Sequence, residues 1–201
     1  MKEYALITGA SKGIGKSMAL LLAKQGYNLL LTARSANELS EVSVHIRSTY
    51  HVDALYFPVD LSSPGAAAQI AAWCSQRPVS ILINNAGYGL WGNFETLDLA
   101  GQMSMIRVNI DALVELCYYL IPVLRLQKQA YILNVASTAA YQAVPTLAIY
   151  AATKAYVLSF SRALRYELKG SPVSVSCLCP GPTDTGFAQR AGMEALAELA
   201  A

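Results

Sequence analysis

The chain has 201 residues, one domain's worth at the usual ~150 residues per domain. Charged residues are only 14% and hydrophobic residues 54%; ordinary soluble chains carry roughly 25% charge, so disorder, collagen-like repeats and charged nucleic-acid arms are excluded. Fifteen Lys and Arg against thirteen Asp and Glu give a net charge of +2, which predicts no polyanionic partner.

Short apolar runs alternate with helix-length segments along the chain. Strands are expected at Tyr4–Thr8, Asn28–Ala33, Asp53–Val59, Ser80–Asn84, Ala130–Ala136 and Val173–Leu178. Helices are expected at Gly15–Gln25, Ala36–Tyr50, Pro64–Gln76, a long pair over Leu99–Gln127, and Tyr150–Lys169. Most strands are uniformly apolar rather than alternating, the pattern of parallel strands buried on both faces. Repeated β-α units of this kind build a parallel sheet with helices on both sides. With no linker, repeat or low-complexity tract, the expectation is a single domain over residues 1–201.

No stretch reaches the ~20 uncharged residues of a membrane span; Asn109–Gln127 is interrupted by Asp111, Glu115 and Arg125. The first residues run straight into strand-like sequence without a signal peptide's cleavage pattern. Cys74, Cys117, Cys177 and Cys179 lack metal-ligand spacing. They read as reduced core thiols of a cytoplasmic protein, and no metal is expected. Helix 110–126 is apolar nearly all round, so a second copy of the chain is the expected cover for its outer side. His45 and His51 read as surface residues and Trp73 as helix-face packing.

The first strand runs into Thr8-Gly9-Ala10-Ser11-Lys12-Gly13-Ile14-Gly15, and a helix follows. Glycines permit a tight turn and close approach of backbone amides to a phosphate, and the helix N-terminus adds positive potential. The spacing is not the dinucleotide G-x-G-x-x-G. Gly15-Lys16-Ser17 ends like a triphosphatase P-loop, but that loop needs four residues before its Gly-Lys pair and Gly9 to Gly15 leaves five. A phosphate-binding turn is favoured over a plain strand–helix turn. Strand two ends at Ala33-Arg34-Ser35, where nucleotide-binding sheets meet the adenosine ribose. An acid there would hold a free 2′-hydroxyl; the Arg34 guanidinium suits a 2′-phosphate, with Lys12 as a second cation. NADP(H) is therefore expected over NAD(H).

Taken in order, Thr8-Gly9-x-x-x-Gly13-x-Gly15, Asn84-Asn85-Ala86-Gly87, Asn109, Ser137, Tyr150-x-x-x-Lys154 and Pro180-Gly181 resemble the short-chain dehydrogenase/reductase family across essentially the whole chain. The resemblance implies a Rossmann-type α/β fold, a doubly wound sheet in three layers, and an NADP(H)-dependent oxidoreductase interconverting a carbonyl and an alcohol. It makes Tyr150 the acid/base and Ser137 the group that bonds the substrate carbonyl. Lys154 would hold the nicotinamide ribose, and Asn109 would anchor a water that links Lys154 to solvent.

Independently, Tyr150 and Lys154 stand one helical turn apart, and an ammonium several Å away would lower a phenol's pKa by about two to three units. The family pattern further assigns cofactor contacts to Ser11, Ile14 and Ser35, and an adenine contact to Asp60 and Leu61. It places Asn85, Ala86 and Gly87 beneath the cofactor, and Pro180, Gly181, Thr183 and Thr185 on the nicotinamide side. Thr183 stands where the family usually has an aliphatic residue, and an N-capping Asp60 is the plain alternative. Tyr88, Leu90, Trp91, Tyr141 and Val144 suggest an apolar pocket for a hydrophobic carbonyl compound or a 3-oxoacyl-type group. Homodimers or homotetramers through 110–126 and 150–169 are expected.

Members usually continue well past Thr185, so the expectation is a domain lacking the family's C-terminal substrate lid and last strand. A non-catalytic NADP(H)-sensing protein is the alternative, disfavoured by the complete Ser137, Tyr150 and Lys154 set.

Overall fold

The computed structural model describes residues 3–183 together with 191 and 192. Six parallel strands form one sheet: β1 (Tyr4–Thr8), β2 (Asn28–Ala33), β3 (Ala54–Pro58), β4 (Val79–Asn84), β5 (Ala130–Val135) and β6 (Val173–Leu178), in the order β3-β2-β1-β4-β5-β6. The order reverses between β1 and β4, and ligand crevices of open α/β sheets lie at such a switch, beyond the strands' carboxyl ends.

The sheet has two cores, which explains why its strands read as uniformly apolar. Ala5, Ile7, Leu29, Leu31, Ile81 and Ile83 face α1 (Gly13–Lys24) and α2 (Ala36–Tyr50). Their neighbours Leu6, Leu30 and Leu82 face the opposite side, with α3 (Ala66–Cys74), α5 (Ala112–Leu124) and α6 (Ala148–Glu167). Each successive side chain is thus buried, on alternate sides.

Helix boundaries follow local chemistry. In α2, Ser35 caps the N-terminus by accepting from the Glu38 N–H at 3.4 Å, and His51 ends the helix in the left-handed region at φ +54°. Helix α3 begins two residues later than expected, after Gly65 at φ +75°. The long pair is α4 (Leu99–Ile106) running through a π-turn (Arg107–Asp111) into α5, so the expected pair is one continuous helical run. Helices α1 and α6 each start two residues before their expected positions.

A buried polar line crosses from the sheet to α6. Asn84 Nδ2 donates to Asn134 Oδ1 at 2.9 Å, and Asn134 Nδ2 donates to Ser161 Oγ at 2.9 Å. Ser161 in turn donates to the Val157 carbonyl at 2.6 Å. Asn84 also lies opposite Asn134 in the β4–β5 register.

All four cysteines are free, but only Cys74 and Cys117 lie in the core, where burial pushes each thiol up to about 12. Cys177 and Cys179 are half-buried, on and just past β6, the last strand of the sheet among the described residues, so the expectation of four core thiols is corrected for this pair. His45 and His51 are exposed, and Trp73 stacks on Phe57 at 5.4 Å. No helix among the described residues is long and apolar enough to cross a membrane.

Candidate active site

The glycine turn joins β1 to α1 and is braced from the neighbouring strand. Thr8 Oγ1 accepts the backbone N–H groups of Asn85 and Ala86, each at 3.0 Å. The Asn85 amide donates back to the carbonyls of Thr8 (3.0 Å) and Gly9 (3.2 Å). The turn leaves no room for side chains. Gly9 sits at φ +65°, and a Cβ on it would stand 2.9 Å from Asn85 Nδ2 and 3.0 Å from the Ala86 Cα. A Cβ on Gly15 would collide with the Gly9 carbonyl, and Gly13 takes φ +52°. This is a backbone cradle at a helix N-terminus, the geometry that receives a phosphate. Thr8 and Asn85 hold it in shape. Thr8 was not singled out for that role, although its place immediately before Gly9 was the available signal.

Beside the cradle, Lys12 Nζ pairs with Glu38 Oε1 at 2.7 Å. Glu38 also hydrogen-bonds Ser11, and its carboxyl is held below the usual carboxylate range, chiefly by the bond to Lys12. Arg34 is exposed just past β2, and Ser35 is occupied as the α2 cap. Asp60 closes its own turn: its Oδ1 accepts from the Ser62 N–H at 2.9 Å and the Ser62 hydroxyl at 2.8 Å. It is not the cap of α3, a position held by Gly65. Leu61 packs half-buried against the core.

The four expected catalytic side chains converge beyond the ends of β4 and β5. Ser137 follows β5 and caps a 3-10 turn (Thr138–Tyr141), its Oγ accepting from the Ala139 N–H at 3.2 Å. It also hydrogen-bonds the Tyr150 phenol. Lys154, buried on α6, donates to the Val135 carbonyl at 2.8 Å, with Nζ 5.8 Å from the Tyr150 ring centroid. Asn109 lies in the π-turn and is buried. Its Nδ2 donates to the Tyr88 carbonyl and to Thr153 Oγ1, both at 3.0 Å, and its Oδ1 accepts from the Tyr88 N–H at 3.1 Å. Thr153, buried and also missed in the sequence, donates onward to the Tyr150 carbonyl at 2.7 Å. Gly87 completes the floor: a Cβ there would stand 3.1 Å from Asn109 Oδ1 and 3.3 Å from Lys154 Nζ.

The titration of the pair runs against the sequence expectation. Burial raises the Tyr150 phenol above its ordinary value, with the Ser137 hydrogen bond acting in the opposite sense. Burial also pushes the Lys154 ammonium down to about 8, against the nearby Cys177 and Cys179. Desolvation disfavours both charged forms here, and the ammonium is directed to the Val135 carbonyl. In the protein by itself, Tyr150 is a protonated phenol, the form that donates.

Tyr88, Leu90, Val144, Leu147, Ile149 and Met105 gather around Tyr150 as an apolar cluster. Trp91 and Tyr141 stay outside it: Trp91 is partly exposed, and the Tyr141 hydroxyl donates to Cys179 Sγ at 3.6 Å. Pro180 is tied to the 3-10 turn through the Thr138 N–H at 3.0 Å. Thr183 is exposed and donates to the Gly181 carbonyl at 2.9 Å. Thr185 lies outside the described residues.

A doubly wound parallel sheet with a glycine cradle at its switch point defines a dinucleotide-binding protein of the Rossmann class. The short chain dehydrogenase family model matches residues 3–195, and the chain belongs to that family. It is 36% identical over 181 residues to hydroxysteroid dehydrogenase-like protein 1 of Gallus gallus, covering 89% of this chain and 55% of that protein. To very-long-chain 3-oxoacyl-CoA reductase-A of Danio rerio it is 34% identical over 182 residues, covering 89% and 57%. The chain thus spans little more than half the length of these curated relatives. A short-chain dehydrogenase from Sphingobium yanoikuyae, solved with NADPH, superposes with a TM-score of 0.91 at 32% identity, covering 96% of this chain and 75% of that one. A family member from Burkholderia phymatum, solved with NAD, gives 0.89 at 28% identity, covering 97% and 72%.

Proposed function

We propose that the chain is the cofactor-binding and catalytic portion of an NADP(H)-dependent oxidoreductase that interconverts a ketone or aldehyde with an alcohol. The observation that carries this is the convergence of Ser137, Tyr150, Lys154 and Asn109 at one crevice, beside a glycine cradle no side chain could enter. The residues present fit a dinucleotide: the turn over Gly9–Gly15 would hold the pyrophosphate, Arg34 and Lys12 a 2′-phosphate, and Lys154 the nicotinamide ribose hydroxyls. Asn85, Ala86 and Gly87 would lie beneath the cofactor, with Pro180, Gly181, Thr183 and Thr185 at its nicotinamide end. When bound, the nicotinamide supplies or accepts the hydride at the substrate carbon.

The chain's own groups manage the proton and the orientation. The Ser137 hydroxyl bonds the substrate oxygen and stabilises the negative charge that develops on it. Tyr150 donates its phenolic proton to that oxygen in reduction; its raised pKa keeps it protonated at neutral pH, and a positive charge nearby would be needed to ease the proton's departure. Lys154, placed to carry charge near neutrality, supports the phenolate left behind. Asn109 fixes the Tyr88 segment and, through Thr153, the backbone of Tyr150. The apolar cluster around Tyr150 favours a hydrophobic carbonyl compound, and a 3-oxoacyl group is consistent with the curated relatives. Exposed Tyr118, Tyr119 and Leu126 on and just past α5, and Tyr156 and Tyr166 on α6, support a homo-oligomer through these helices, which a monomeric mass in light scattering would refute.

A side-by-side fluorescence titration with NADPH and NADH, followed by turnover of hydrophobic ketones, tests the reading. NADPH should bind more tightly, and Tyr150→Phe should lower kcat by about a hundredfold to ten-thousandfold while NADPH binding persists. Equal binding of both cofactors would remove the role given to Arg34. Undiminished turnover by Tyr150→Phe would end the mechanism.

A further inference from the structure

The adenosine end of the crevice holds a charge that the proposed chemistry does not use. Lys12 stands at the α1 N-cap with its side chain 70% exposed, yet its ammonium is directed to Glu38 Oε1 at 2.7 Å. This is the one ion pair among the described residues. Glu38 reaches the glycine turn from the first turn of α2, four residues past Arg34, and also takes a hydrogen bond from Ser11. The same patch therefore carries two cations, Lys12 and Arg34, and one carboxylate that has already claimed one of them.

We infer that Glu38 is a specificity-determining residue that weakens selection for a 2′-phosphorylated adenosine ribose by competing with the phosphate for Lys12. The inference rests on the dinucleotide reading above. An unphosphorylated ribose presents a neutral hydroxyl there and can leave the Lys12–Glu38 pair intact. A 2′-phosphate carries about −1.5 to −2 charges near neutral pH; it needs both cations and meets the Glu38 carboxylate as a like charge. Lys12 is exposed and Glu38 only half-buried, so parting the pair is cheap, and Glu38 tempers the preference without abolishing it.

The test is a set of fluorescence titrations with NADPH and NADH on the wild-type chain, E38Q, Glu38→Lys, Lys12→Met and the Lys12→Met/E38Q double variant. In E38Q the NADPH Kd should fall about three- to tenfold, the size expected for removing one partly exposed charge beside a phosphate. The NADH Kd should stay within about twofold of wild type, by the same reasoning. Glu38→Lys should raise the NADPH-to-NADH preference further, and the E38Q effect should shrink in the Lys12→Met background. NADPH affinity that is unchanged or weakened in E38Q, or a parallel shift for both cofactors, overturns the inference while leaving the dinucleotide reading in place. A wild-type chain that binds neither cofactor overturns both.

Discussion

Asn109 gives the sharpest test of how the crevice is held together. Replacing it with Ala deletes three hydrogen bonds of 3.0 to 3.1 Å: two donated by Nδ2, to the Tyr88 carbonyl and Thr153 Oγ1, and one accepted by Oδ1 from the Tyr88 N–H. Thr153 keeps its bond to the Tyr150 carbonyl at 2.7 Å, so it is not stranded. The Tyr88 peptide groups lose their side-chain partner. At about 1 kcal/mol net for each of the three bonds, plus about 1–3 kcal/mol for leaving half-buried polar groups unpaired, the cost is about 4–6 kcal/mol. That is a large part of the ~5–15 kcal/mol that stabilises a typical domain. Urea unfolding followed by circular dichroism should show the midpoint falling with an unchanged m-value. The thermal midpoint should fall by about 10–20 °C, at roughly 2–4 °C per kcal/mol for a chain of this size. A loss below about 1 kcal/mol would mean that the Asn109 side chain does not tie the Tyr88 segment to α6, and the positioning argument would fall with it.

Two further outcomes follow from named geometry. Lys154 titrates at about 8 in the fold against an ordinary 10.5; a folded value below the unfolded one means fewer bound protons in the native state between those limits. Stability from this group should therefore rise as pH climbs from about 8 towards 10.5, by an amount on the order of a few kcal/mol. Lys154→Met should abolish that rise, and urea midpoints with the same pH dependence in both proteins would refute the assignment. At the cradle, Gly15→Ala drives a Cβ into the Gly9 carbonyl and the Asn85 amide, while Gly181→Ala meets nothing within 4 Å. The first should cost about 1–3 kcal/mol and most dinucleotide affinity, and the second should leave melting temperature unchanged; equal melting points would refute the crowding.

The central strands were legible because both faces of the sheet are buried there, so β1, β2 and β4 read as continuous apolar runs, whereas β6 alternates buried Val with exposed Ser. Strands β1, β2 and β6 and helix α2 fall on their expected boundaries. The π-turn at Arg107–Asp111 was not legible, since a single turn of wider i→i+5 bonds is too short to shift the hydrophobic pattern of the helices around it. Ser137 and Asn109 each combine a backbone-shaping position with a place in the crevice. Ser137 caps a turn and bonds Tyr150; Asn109 sits at a distortion of the helix and fastens the crevice wall. Glu38 was overlooked because its partner lies 26 residues earlier, beyond any local motif. The Tyr150 shift runs opposite to the expected direction because charge spacing can be read from a sequence, whereas the loss of water around a phenol cannot.

The line from Asn84 through Asn134 to Ser161 has a consequence for how accurately the crevice is assembled. Hydrophobic side chains tolerate sliding, since one Leu or Val contact resembles the next. A carboxamide facing a carboxamide does not, because a shift of one residue would bury two amides without partners and turn every side chain of the strand to the wrong face. The three residues act as a vernier. They align β4 with β5 and clock α6 against both, immediately before Asn85, three residues before Ser137, and two helical turns beyond Lys154 and three beyond Tyr150. Active-site spacing is thereby indexed from inside the sheet, leaving the loops above it to vary with the substrate.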